Sequence, residues 1–204
     1  MKNQVSNART SSIHLFSEIV KENSEKMMFL EMRIKELEEK DIKIKGEDEA
    51  ILFEQKIVPL PKDLAKSSLI IIVFSAMAVE AYIYDYAARH LGDVFVKDHL
   101  DKLDTLSKWI IVPKLITGRE LPRQQKWFEL LKKLIKARNS IIHHKSSDAP
   151  TFSTDMQQYI KKQEANSGLL DEAARQSAML LNLLADKIAE IDPQESVWVN
   201  AYLT

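Results

Sequence analysis

Apolar residues return at intervals of three and four positions along most of this 204-residue chain, and that spacing narrowly limits its fold. Such spacing places the apolar side chains on one face of an α-helix. No segment shows the sustained period-two alternation of a half-buried strand. Only four glycines and six prolines interrupt the chain, which favours long helices joined by few turns. The sequence therefore predicts an all-α protein.

The first predicted helix runs from Thr10 to about Lys45. Its apolar seam is narrow and flanked by glutamate and lysine, which is typical of a helix that packs along another helix. The seam consists of Ile13, Phe16, Val20, Met27, Leu30, Ile34, Leu37 and Ile44. Packing within the chain or a simple dimer clasp is favoured over a coiled-coil adaptor. A break at Gly46 to Pro61 divides the chain into an N-terminal helical extension and linker, 1–60, and a helical domain, 61–204.

Further helices follow this break. One begins near Pro61 and ends at Leu91, where Gly92 is the expected C-cap. Its helical spacing groups Leu64, Leu69, Val73, Met77, Glu80, Tyr84 and Ala88 on one stripe. The later elements are a short helix from Asp104 stopped by Pro113, a loop turning on Gly118, an amphipathic helix after Pro122 that runs out at His143, room for a short helix within Thr154 to Gly168, a helix from Leu169 to Ile191, and a last short helix with Asp192 as its N-cap.

Composition excludes several classes of protein. The chain has no cysteine, which excludes a disulfide framework, a thiolate nucleophile, a zinc finger and an iron–sulfur site. The polar N-terminus lacks a signal-peptide hydrophobic region, so we expect a cytoplasmic protein. The most apolar stretch, Ser67 to Tyr84, is interrupted by Glu80 and predicts a buried core helix rather than a membrane span. No metal-ligand spacing, P-loop or dinucleotide fingerprint is present, so we expect no metal and no cofactor.

The permanently charged Arg138 lies on the apolar face of its predicted helix. Arg138 lies four residues after Leu134 and four before Ile142. Burying such a charge alone costs on the order of several kcal/mol, so Arg138 needs a partner, an interface or a water-filled cleft. Glu80, which interrupts the most apolar helix, faces the same problem and is the candidate partner. The two charges together suggest one polar site inside a helical bundle.

His143 lies five residues beyond Arg138, about 140° around an ideal helix. Their side chains would not meet on a straight helix, whereas Asn139 lies nearly beneath His143. For Arg138 and His143 to act together, the helix must end between them or a second copy must supply the other half.

These residues resemble the R-x4–6-H motif of the HEPN superfamily, in which a polar residue often follows the arginine. The acid-bearing segment Phe74 to Ile83 is similar to the first core helix of HEPN-like proteins. Leu103 to Lys108, Pro113 to Leu115 and Thr117-Gly118 follow in the order that such proteins use. The resemblance covers roughly Pro61 to Ile191 and leaves Met1 to Leu60 unmatched.

The resemblance implies an up-and-down bundle of four to five helices that dimerises through its motif helices, here with an additional long N-terminal helix. Many members are metal-independent endoribonucleases of toxin–antitoxin, abortive-infection and other defence systems. Arg138 and His143 match the catalytic pair, Asn139 the polar neighbour and Glu80 the acid of the preceding helix, while His144 also falls within the motif spacing. His143 would act as a general base or acid at the ribose 2′-hydroxyl or the leaving oxygen, and Arg138 would hold the phosphate. Cleavage would leave a cyclic phosphate.

The net charge of −1 conceals a basic segment. Thr105 to Lys145 contains ten basic and two acidic residues, a local balance of +8 that would attract a phosphate backbone. Within it, Lys114, Lys136 and Lys145 are candidate RNA-binding residues. The expected partners are an RNA substrate, a second copy of the chain, and an antitoxin or other protein.

Other interpretations remain. A HEPN-like module without catalysis would bind RNA, a nucleotide or a partner protein at the same surface. Arg138 would have only a structural role if it paired with Glu80 to fix the packing of the helices. His143 would then be an exposed cation that interacts favourably with the helix dipole. A third interpretation is a structural scaffold whose N-terminal helix clasps a partner.

Overall fold

Helices form nearly all of the part of the chain that the structure, a computed structural model, describes: residues 11–41, 51, 55–143 and 155–203. In chain order they are α1 (Ile13–Asp41), α2 (Pro59–Leu91), α3 (Asp93–Phe95), a π-helical turn (Val96–Leu100), α4 (Thr105–Thr117), α5 (Lys126–Ile142), α6 (Asp155–Ile191), a 3-10 turn (Pro193–Glu195) and α7 (Ser196–Leu203). These ranges contain no strand, so the all-α prediction is confirmed.

The central element is α2, which contacts α1, α4, α5, α6 and α7. Its buried side chains include Ile72, Val79, Tyr82 and Ile83, all fully inaccessible to solvent. Helix α2 is apolar on most of its circumference, which is typical of a helix inside a core. The helical stretch Gln55–Leu91 is long and apolar enough to span a membrane by length and composition, and 56% of its most apolar window is buried within the protein.

Helix α1 packs against α2 and buries its apolar seam there. Ile13, Val20 and Met27 belong to the same core as the buried residues of α2. The rings of Phe16 and Phe74 lie 5.8 Å apart across this contact. The intramolecular packing expected for α1 is therefore observed. The division of the chain at residue 60 stays a prediction, and Ile44 lies outside the described residues.

The stripe predicted along α2 faces outward in its middle part, whereas Ala88 at its end is buried. Leu69 and Met77 are 37% and 40% exposed, and Glu80 is exposed as well. The expectation that Glu80 is a misplaced charge in the core is therefore wrong. A helix that is apolar on most sides offers little periodic contrast, so its spacing could not identify the face that meets water.

Two predicted breaks are absent. Helix α4 passes through Pro113 and ends at Thr117, where Gly118 adopts the left-handed conformation with φ 71°. Helix α6 likewise continues through Gly168. Pro113 is buried beside Val112 in the packed face of α4, and a single helical glycine costs only about 1 kcal/mol. Packing outweighs the local signal at Pro113, whereas at the exposed Gly168 the cost of glycine is too small to interrupt α6.

A buried carboxylate fastens the C-terminal segment to α2. Glu195 is 2% exposed and accepts hydrogen bonds from the Tyr82 hydroxyl, at 3.0 Å, and from both terminal guanidinium nitrogens of Arg89. Arg89 Nε also donates to Asp85 at 2.8 Å. Burial and the Glu195 carboxylate hold the pKa of Tyr82 far above its usual value, so the phenol keeps its proton.

Asp192 takes part in the same junction. It was expected to cap the last helix, yet its side chain makes no capping hydrogen bond. Its carboxylate instead accepts a hydrogen bond from the Tyr86 hydroxyl at 2.8 Å. The N-cap prediction is wrong because a long-range partner on α2 competes for the same oxygen atoms.

We expect Glu195→Ala to lower the free energy of unfolding by about 3 kcal/mol, because it leaves Arg89 and Tyr82 without their buried acceptor. Urea denaturation measures the change. The matched control is Glu190→Ala, which removes an exposed carboxylate paired with Lys187 and should cost less than about 1 kcal/mol. Equal losses in the two variants would contradict a stabilising role for the buried network.

Candidate functional site

The outer face of α5 carries a row of exposed polar side chains. Glu129, Lys132, Lys136, Asn139 and His143 follow one another at spacings of three and four, so they share one stripe of the helix. The opposite face buries Trp127, Leu130, Leu131 and Leu134 in the core. Because that apolar face fixes the rotation of α5, the polar stripe faces solvent.

Asn139 links the two residues of the predicted catalytic pair. Arg138 Nη1 donates a hydrogen bond to Asn139 Oδ1 at 3.1 Å. The backbone N–H of His143 donates to the carbonyl of Asn139 at 3.0 Å, so Asn139 lies one helical turn before His143. The guanidinium group of Arg138 is thereby drawn toward the side of the helix from which His143 projects.

Helix α5 continues without a break from Arg138 and ends only immediately before His143. Its last residue is Ile142, and His143 is an exposed C-cap with φ −101° and ψ 23°. On an ideal helix the two side chains would leave the axis about 140° apart, and Asn139 is the residue that contacts both Arg138 and His143. The dipole of α5 favours a positive charge at this end. His144 and Lys145 lie outside the described residues.

Glu80 does not join this site. It is exposed on α2 and lines a cleft with Lys108 of α4. The hydrogen bond of Arg138 goes to Asn139, and no acid among the residues that the structure describes lies within ion-pair distance of its guanidinium group. The predicted pairing of Arg138 with Glu80 is therefore wrong. Arg138 is only half-buried, so its guanidinium group stays accessible to solvent and needs no carboxylate partner.

The basic segment divides into paired and unpaired cations. Lys114 forms an exposed ion pair with Glu120, and its hydrogen bond holds the pKa of that carboxyl below the usual range. Lys132 pairs with Glu129 at 2.9 Å, and Lys108 is buried in α4. The cations that make no ion pair with a described acid are Arg119, Arg123, Lys126, Lys133, Lys136 and Arg138. Within the segment Thr105 to Lys145, the unpaired positive charge among the described residues therefore lies on α5 and the loop before it.

A groove of about 450 Å³ between α5 and α6 adjoins the polar stripe. Lys136 belongs to both, and the groove also takes in Ala137 and Ser140 of α5 with Asn166 and Leu169 of α6. Leu169 is 70% exposed. The sequence could not reveal this groove, because its two walls come from helices whose register is set only by packing.

No cluster of three or more histidine, aspartate or glutamate side chains suited to a metal ion occurs in the described ranges. No protein-family model, no curated protein and no solved structure matches this chain. What the site can do is therefore argued from its own side chains: an exposed imidazole, a neighbouring guanidinium group and unpaired lysines can together bind a phosphate group and move a proton next to it.

We expect Lys136→Ala to reduce the salt concentration at which the protein elutes from heparin, a simple polyanion, because Lys136 is exposed and unpaired. Lys114→Ala should shift elution less, since Glu120 already neutralises that lysine. Lys97→Ala, on the exposed π-helical turn, is the control for losing one positive charge elsewhere. Equal shifts in all three variants would mean that the surface of α5 has no special attraction for polyanions.

Proposed function

We propose that this protein is a metal-independent endoribonuclease of the HEPN type whose active site lies at the C-terminal end of α5. The observation that carries the proposal is the hydrogen bond between Arg138 and Asn139 one turn before the exposed His143. These are the residues at which the chain resembles the HEPN motif. Glu80, His144 and Lys114 have no part in the chemistry proposed here.

The reaction needs one proton acceptor and one phosphate-binding cation. His143 takes the proton of a ribose 2′-hydroxyl, since histidine is the residue type that exchanges protons near neutral pH. The 2′-oxygen then attacks the adjacent phosphorus, and the bond to the 5′-oxygen breaks. The 5′-oxygen takes up a proton from water and His143 gives its own proton back to water, so the products are a 2′,3′-cyclic phosphate and a 5′-hydroxyl. Arg138 donates to the phosphate oxygens and offsets the charge that develops on them.

Asn139 is a positioning residue in this proposal. Its side-chain oxygen holds Arg138 on the side of α5 that carries His143, and it does not exchange protons. The unpaired Lys133 and Lys136 attract the flanking phosphates of the strand. The proposal includes a homodimer formed through α5, in which a second copy brings its own Arg138 and His143 to a shared cleft, and a toxin–antitoxin or antiviral role in the cytoplasm.

We expect the protein to cleave unstructured RNA in the presence of EDTA and to leave cyclic phosphate ends. His143→Ala should lower the cleavage rate at least about 100-fold, because a general base contributes on the order of 100- to 10,000-fold. Arg138→Ala should lower it as well, and Arg138→Lys should restore little, since lysine lacks the bidentate fork. His14→Ala, an exposed histidine on α1, is the matched control and should retain full activity.

The same assay separates cleavage from binding. RNA that is bound in a salt-dependent way by wild-type protein but stays intact would favour the non-catalytic binding module, and the ribonuclease proposal would fail. RNA that is neither bound nor cut would exclude both functions for those substrates. Cleavage that survives in His143→Ala would assign the activity to another residue or to a contaminant.

A further inference from the structure

A second polar cleft lies away from α5. It has a volume of about 520 Å³ and is lined by residues of α1, α2 and α4 and of the segments next to them. Its polar groups include Glu80, Asp101 and Lys108, and its apolar wall includes Phe16, Met77 and Tyr84. No residue of α5 lines the cleft, so the site does not depend on the ribonuclease proposal. Its volume lies within the range of about 300–1,000 Å³ that is typical of small-molecule sites.

Lys108 is the unusual group in this cleft. Its side chain is only 6% exposed, and the nearest carboxylate oxygen, Asp101 Oδ1, is 3.7 Å from the ammonium nitrogen. That separation is too long for a hydrogen bond, and the described residues offer the ammonium no other acceptor. An ammonium group carries three donors, and Lys108 Nζ is not among the buried side-chain atoms that lack a partner, so its donors are open to solvent in the cleft. A carboxylate that enters the cleft can take the place of that water and add an opposite charge.

Helix α4 holds Lys108 in this position. Trp109, the next residue, is fully buried and donates from its indole nitrogen to the carbonyl of Val79 at 3.2 Å. Asp104 caps the start of the helix by accepting from the backbone N–H of Ser107 at 3.0 Å. Because these contacts fix both the rotation and the start of α4, Lys108 cannot leave the cleft by a simple turn of the helix.

The other charges in the cleft are negative. Glu80 is exposed and pairs with no described cation, while Asp101 is exposed and only loosely paired with Lys108. Asp85, which also lines the cleft, is held by Arg89. Acids therefore outnumber the lysine, and a simple anion would be repelled. A ligand that brings a carboxylate for Lys108 and an ammonium group for Glu80 complements both charges.

We propose that this cleft binds a small zwitterion of the amino-acid class. The ligand carboxylate accepts hydrogen bonds from Lys108, and the ligand ammonium group faces Glu80. An apolar ligand side chain packs against Phe16, Met77 and Tyr84, which form the half-exposed wall. Binding gives the ammonium group of Lys108 an anionic partner without burying an unpaired charge on the ligand.

Calorimetric titration of the 204-residue chain tests this proposal with L-phenylalanine and with two analogues. Phenethylamine lacks the carboxylate, and 3-phenylpropionate lacks the ammonium group. We expect saturable binding of L-phenylalanine and at least 10-fold weaker binding of each analogue. Glu80→Gln should weaken the binding of L-phenylalanine at least 10-fold, whereas the binding of 3-phenylpropionate should not weaken, because Glu80 repels its carboxylate. Lys108→Met should abolish binding of both carboxylates. The matched controls are Glu22→Gln and Lys97→Met, at exposed positions outside the cleft.

Three outcomes would overturn the proposal. One is the absence of saturable binding of L-phenylalanine and of L-leucine, which presents an aliphatic side chain instead. Another is phenethylamine binding as tightly as L-phenylalanine, because the carboxylate would then contribute nothing. The third is unchanged affinity in Glu80→Gln, which removes only an exposed charge and should fold normally. This last variant decides the question even if Lys108→Met fails to fold.

Discussion

Helix α2 is largely buried, and the polar side chains on its buried faces need hydrogen-bond partners from within the protein. Its last turns carry Tyr82, Tyr86 and Arg89, which need acceptors that no apolar neighbour can supply. The C-terminal segment supplies them through Asp192 and Glu195. This segment is therefore part of the core and not an appendage. The hydroxyls of Ser67 and Ser75 are the buried side-chain groups for which the described residues provide no partner.

The burial of α2 also determines what α5 can present. Because α2 and α6 cover the apolar face of α5, its rotation is fixed by Trp127, Leu131 and Leu134. The opposite stripe is left to water, and its lysines, Asn139 and His143 contribute nothing to the core. A stripe of this kind can be occupied by reactive or phosphate-binding residues at little cost in stability, since surface substitutions usually change the free energy of unfolding by less than about 0.5 kcal/mol.

Local patterns predicted the amphipathic elements well. The apolar face of α5, the seam of α1, the glycine cap at Gly92 and the turn at Gly118 all follow from periodicity and backbone conformation. The same patterns failed where long-range packing decides the outcome. Pro113 continues its helix because it is buried among neighbouring helices, whereas Gly168 is exposed and continues its helix because one glycine is a weak helix breaker. Arg89 and Glu195 are 106 positions apart in the chain, and no spacing rule relates them.

The candidate site shows the same division. That Asn139 lies one turn before His143 follows from helical spacing alone, whereas the hydrogen bond that turns Arg138 toward Asn139 required the structure. From the sequence, Arg138 and Glu80 are two charges on apolar helices, and we predicted that they pair with each other. In the structure the two charges are accommodated separately. Arg138 donates a hydrogen bond to the side-chain amide of Asn139 near the end of α5, and Glu80 is exposed in the cleft that Lys108 also lines. A charge on an apolar helix therefore indicates a polar opening nearby, but it does not identify the residue across it.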